Sequence, residues 1–78
     1  MEKLVLLKKF GANIKKIRES KGLAQIDLAV KMGYADDATS ISRIEAGRTN
    51  PTLFTIHKIS TALDMPMADL LDFNALEE

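Results

Sequence analysis

The chain has 78 residues, no cysteine, one histidine (His57) and a formal net charge of zero. That length makes one domain with a small core. The lack of thiols excludes disulfides and thiolate metal sites, and a lone histidine excludes a multi-histidine metal site within one chain. No apolar run approaches the roughly 18 residues that span a bilayer, and the apolar start is broken by lysines, so it reads as helix rather than as a signal peptide. Nothing resembles a glycine-rich phosphate loop or a nucleophile–base pair, so an enzyme is not expected. The charge is unevenly spread. Residues 1–50 hold ten Lys/Arg and six Asp/Glu, whereas residues 51–78 hold one and five. A half facing a polyanion and a half turned away would give this polarity, as would chance in a small domain.

Residues 2–21 predict the first helix. Leu7, Phe10, Ile14 and Ile17 recur at steps of three and four and form one apolar stripe. Lys8, Lys9, Lys15 and Lys16 fall off that stripe, as a solvated face or as phosphate contacts. Gly22 ends the helix. Residues 25–32 predict a second, short helix with Ile26, Leu28, Ala29 and Met32 toward the core and Gly33 at its end. Ala24 stands at the N-cap position but cannot cap, at a cost of about 1 kcal/mol. Gln25, the first polar side chain of this helix, is either a plain surface glutamine or a phosphate contact beside free N–H groups.

Tyr34-Ala35-Asp36-Asp37 predicts the turn, with Asp36 or Asp37 as N-cap of a third helix over 38–46. If either carboxylate lay near DNA, it would have to point away from phosphates or accept from a cytosine amine. The third helix sends Ile41 and Ile44 inward and leaves Thr39, Ser42 and Arg43 outward, and Gly47 ends it. A short helix with hydroxyls and a guanidinium on its free face, backed by another helix, is how a helix-turn-helix offers side chains to a major groove. Arg48-Thr49-Asn50-Pro51 is a polar loop. Thr52 caps a fourth helix over 53–63, striped by Leu53, Ile56, Ile59 or Ser60, and Leu63. His57 lies within it as a surface histidine. A fifth helix starts near Pro66 and runs to about Phe73. Leu70, Leu71, Phe73 and Leu76 exceed what so short a helix can bury, which predicts a self-association face. The expected class is therefore all-α, with five helices and no strand.

These residues carry a resemblance. Gly22-Leu23-Ala24-Gln25, Leu28-Ala29, Gly33, Ile41 to Gly47, Pro51, Leu63 and Leu70-Leu71 together resemble the Cro/lambda-repressor-like helix-turn-helix family, also called the XRE family, over about residues 10–73. In size and in its compact C-terminal helix the chain is most similar to the controller proteins of restriction-modification systems. The resemblance implies a five-helix lambda-repressor-like domain that binds double-stranded DNA as a homodimer on a two-fold symmetric operator. No cofactor, membrane or small-molecule ligand is implied, and the location is cytoplasmic, on the nucleoid when DNA is bound. Carried onto this chain, the base-facing positions are Ala38, Thr39, Ser42 and Arg43, with Ser40 at the margin. Phosphate contacts fall at Gln25, Arg48, Thr49 and Asn50. Arg18 and Glu45 match a structural ion pair. The chain departs from the family pattern at Ala24 and in the turn, where Gly33 and Ile41 are separated by two extra residues. The competing expectation is a protein-interaction module such as an antitoxin. Its acidic half, with Asp64, Asp69, Asp72, Glu77 and Glu78, would then contact a basic partner.

Overall fold

The computed structural model describes residues 1–73 and contains five helices: α1 (Lys3–Ser20), α2 (Gln25–Lys31), α3 (Thr39–Glu45), α4 (Leu53–Ala62) and α5 (Met67–Leu70). No strand occurs among the described residues, and no helix there is long and apolar enough to cross a membrane. α1 packs on α3 and α5, α2 on α3 and α4, and α4 on α5. The core draws on every helix. Phe10 and Ile14 come from α1, Leu28 and Ala29 from α2, Ile41 and Ile44 from α3, Ile59 from α4 and Leu70 from α5, with Met32 and Leu63 just past the ends of their helices. Each of these removes apolar area from water, and a fully buried aliphatic side chain contributes about 1.5–3 kcal/mol.

The helix ends follow local chemistry. Thr52 Oγ1 accepts from the Thr55 backbone N–H at 3.1 Å and caps α4. The N-cap position of α3 falls on Ala38, one residue later than expected, and Ala38 offers no acceptor; Asp37, just before it, accepts from the Thr39 N–H at 2.9 Å through Oδ1. At α2, Ala24 offers no acceptor. Its own N–H donates instead to Asp27 Oδ2 at 2.7 Å, which leaves half of a capping box. α3 closes when Gly47 turns left-handed, with φ +73°, and the Arg48 N–H reaches back to the Arg43 carbonyl at 2.9 Å.

Several sequence expectations are corrected. Ile26 faces solvent, because it stands about 200° round the helix from Leu28. Leu53 is 73% exposed: as the first residue of α4 it overhangs the core, and the buried stripe begins only at Ile56. α5 is four residues long, so Phe73 lies beyond it, half-buried against the core. Leu70 is fully buried and belongs to the core, not to a self-association face. The reason lies in α1. The buried Asn13 side-chain amide donates to the Asp69 and Leu70 carbonyls at 3.2 and 2.8 Å and draws α5 onto α1. Leu76 lies outside the described residues.

A second constraint from α1 is Gly11. A Cβ built there would stand 2.6 Å from the Glu45 carbonyl oxygen and would also collide with that of Ile44. α1 and α3 therefore touch backbone to backbone, and a hydrogen at position 11 is what permits it. This contact sets how far α3 stands from the rest of the molecule.

Candidate nucleic-acid interface

α3 divides by periodicity. Ile41 and Ile44 are buried, while Thr39, Ser40, Ser42 and Arg43 are exposed. No described residue pairs with the Arg43 guanidinium, which is free to reach outward. Ala38 departs from the expected base-facing set: it precedes the helix and its half-buried methyl packs against the core. Arg48 and Asn50 are exposed and Thr49 is half-buried in the loop after Gly47.

Behind this face the helix is anchored by charge. Arg18 Nε donates to Glu45 Oε2 at 2.7 Å and Nη2 to Oε1 at 3.0 Å, with side chains only 7% and 4% exposed. The third guanidinium nitrogen, Nη1, donates to the Leu23 carbonyl at 2.6 Å. The hydrogen bond to Glu45 raises the Arg18 pKa above its ordinary value, against the opposing effect of burial. Gln25 Nε2 donates to Glu45 Oε1 at 3.0 Å. One carboxylate at the end of α3 thus gathers the end of α1 and the start of α2. An amide nitrogen carries two hydrogens, so Gln25 keeps a second N–H for another acceptor. No described buried side-chain polar atom lacks a partner, so the anchor leaves no unsatisfied group.

Beside α3 lies a polar cleft of about 270 Å³. It is lined by Tyr34, Ser40, Arg43 and Ile44 on one side and by Thr49 to Thr52 with Thr55 on the other. It brings together four of the expected DNA contacts from the helix and the loop, Ser40, Arg43, Thr49 and Asn50. Gln25 stands apart at the α1–α2 corner. The sequence reading did not single out Tyr34, Thr55 or Lys58 as site residues. Lys58 Nζ lies 4.6 Å from the centroid of the Tyr34 ring and 3.4 Å from its hydroxyl oxygen. The available signal was that the only tyrosine of the chain directly follows the glycine that ends α2.

A short helix with a hydroxyl and guanidinium face, propped by a second helix and joined to it by a turn, defines a helix-turn-helix of the DNA-binding class. Comparison with known proteins gives the family. A family model described as helix-turn-helix, HTH_3, matches residues 14–70. The control protein C.BamHI of Bacillus amyloliquefaciens is 41% identical over 68 residues, which cover 86% of this chain and 82% of that protein. The crystal structure of the restriction-modification controller protein C.AhdI from Aeromonas hydrophila superposes with a TM-score of 0.77 at 38% identity, covering 82% of this chain and 94% of the other. A mutant of the restriction-modification controller protein C.Esp1396I gives a TM-score of 0.78 at 36% identity, covering 92% and 89%. The chain belongs to the HTH_3 helix-turn-helix family of transcriptional regulators.

Proposed function

We propose that this regulator acts as a homodimer on a two-fold symmetric operator, controls its own gene, and serves as the controller of a restriction-modification system. The observation that carries the reading is the free face of α3. Thr39, Ser42 and Arg43 are exposed together on a helix whose other side is fixed by the core and by the Arg18–Glu45 pair. Arg43 alone among them has the fork geometry that pairs with the two acceptors of a guanine edge. Thr39 offers a methyl to thymine and a hydroxyl to any base. Arg48, Thr49, Asn50 and Gln25 hold the backbone on either side. Two copies with α3 helices about 34 Å apart would read successive turns of one face of the duplex. The names of the similar proteins, two restriction-modification controllers and a control protein, support the controller role. Working on DNA, the protein belongs in the cytoplasm, with no cofactor or small-molecule effector, so dose and dimerisation set its response.

The surface that supports dimerisation is not centred on Leu70. Leu71 is 49% exposed and Phe73 half-buried, and both line an apolar groove with Leu6, Phe10, Pro51 and Ile56. Leu4, Val5 and Leu6 extend this apolar surface along the start of α1. A second copy laid there would remove it from water. Recovery and sequencing of fragments bound from sheared genomic DNA at moderate salt tests the operator reading. Enrichment of one two-fold symmetric sequence upstream of this gene is the expected result. Even, salt-sensitive recovery of all fragments would mean phosphate binding without base readout and would end it. Leu71→Asp is expected to shift sedimentation toward monomer and to weaken operator binding, and an intact dimer would rule that face out as the interface.

A further inference from the structure

We propose that the cleft beside α3 is the seat of one DNA backbone phosphodiester in each half-site, gripped by the Tyr34 hydroxyl and charged from behind by Lys58. This rests on the DNA-binding reading above, in which Thr49 and Asn50 already meet the backbone, and adds to it two residues outside the α3 face and the loop that follows it.

The hydrogen-bond inventory points to an anion. No carboxylate lines the cleft. The Tyr34 oxygen accepts from the Lys58 ammonium at 3.4 Å, so its own proton is left to donate elsewhere. Thr52 and Thr55 share one hydrogen bond between their hydroxyls at 3.0 Å, and Thr52 also accepts from the Thr55 N–H. Two hydroxyl protons serve one mutual bond, so one remains free. Ser40 adds a further hydroxyl, while the Arg43 guanidinium, assigned above to a base edge, stands at the rim. Several donors with a cation behind them suit a group that only accepts, and the phosphodiester is the acceptor-only, charged part of DNA.

Position argues for phosphate over base. The cleft lies at the side of α3, between it and the following loop, and not on the outward face that carries Thr39 and Ser42. When a helix enters a major groove its flanks meet the two backbones that wall the groove. Tyr34 can reach this flank because the turn places it there. Its ring is packed against the core and the Lys58 ammonium covers it, so the hydroxyl is delivered by a rigid side chain. Lys58 does not line the cleft itself. It occupies the adjoining groove with Phe54 and Lys31, and its charge acts through and past the tyrosine.

The probes are a duplex selected from a randomised pool by the wild-type protein and a random-sequence duplex of equal length. Tyr34→Phe removes one oxygen and leaves the ring packing intact. It is expected to weaken binding to both duplexes equally, by about tenfold, the value of one hydrogen bond to a charged group. Lys58→Gln is expected to weaken both and to reduce the slope of log affinity against log salt by about 0.9 per subunit, with Lys58→Arg restoring it. Scanning the selected duplex with single methylphosphonates is expected to find one phosphate per half-site whose neutralisation harms the wild type far more than Tyr34→Phe. An identical scan in the two proteins, or a Lys58→Gln salt slope equal to wild type, would overturn the proposal. So would a changed selected sequence with an unchanged slope, which would make the pair a prop for the turn. A wild type that selects no sequence and retains no duplex would instead remove the DNA-binding reading itself.

Discussion

At its C-terminal end α3 is held from three directions. The Arg18 guanidinium and the Gln25 amide both bind Glu45, and the Gly11 backbone of α1 presses against the Ile44 and Glu45 carbonyls. At its N-terminal end the helix has one exposed hydrogen bond, from Thr39 to Asp37, and follows a turn with Ala35 in the left-handed region at φ +54°. The contrast teaches where this regulator can change. The pinned end fixes the distance and tilt of α3, and errors there cost folding. The N-terminal end, the part of a recognition helix that meets base edges, is tied by the core packing of Ile41 and one local hydrogen bond, and its exposed positions can be altered at little structural expense.

The largest effects should therefore come from the pinned end. Glu45→Ala leaves a buried guanidinium with only the Leu23 carbonyl and strips Gln25 of its acceptor. The expected loss is about 3–5 kcal/mol in chemical denaturation. A loss under about 1 kcal/mol would show a pair as solvated as a surface one and would erase the contrast. The paired change Arg18→Met with Glu45→Leu should recover most of the stability, since an apolar replacement leaves no orphaned charge. Gly11→Ala comes next. Its new methyl would meet backbone, not a flexible side chain, so α1 and α3 must separate, at roughly 3 kcal/mol. An unchanged thermal midpoint would mean that the two helices slide freely.

How much of this was legible in the sequence divides along the same line. Helices α1 to α4 were predictable to within a residue or two, because their stripes, Thr52, Asp37 and the closing glycines are local signals. The free face of α3 followed from Ile41 and Ile44 alone. The pairing of Arg18 with Glu45 was available only through family resemblance, since nothing local joins residues 27 apart. Leu70 was misplaced because periodicity tells which residues are apolar but not which neighbour covers them. The answer lay in Asn13, a polar residue inside an apolar stripe, reaching the carbonyls of α5. Gly11 gave no signal, as a glycine within a helix reads as a defect until the second helix is seen against it. Tyr34 looked like a turn residue, and its role depends on a lysine 24 positions away in α4.

Moving outward along α3, Arg43→Ala tests whether binding can be altered without loss of fold. The side chain is exposed and unpaired, so thermal stability should hold. Discrimination between the selected duplex and random DNA should fall by about 1–3 kcal/mol, the value of one bidentate guanine contact. An unchanged ratio of the two affinities would mean that Arg43 binds backbone, not a base.

The smallest effect belongs to the N-terminal end, and its sign is fixed. Hydrogen bonds from the Thr39 side chain and backbone hold the Asp37 carboxyl below the ordinary aspartate value. In acid the unfolded chain then binds this proton before the folded one does. The contribution of Asp37 is therefore complete above the ordinary aspartate pKa and is lost as the pH falls through the lowered one. Full exposure keeps it small. Asp37→Asn retains a capping oxygen, so the neutral-pH midpoint should scarcely move, while the acid-dependent part of the Thr39 amide titration should vanish. A variant whose Thr39 amide still titrates like wild type would show that another group, not Asp37, holds that N–H.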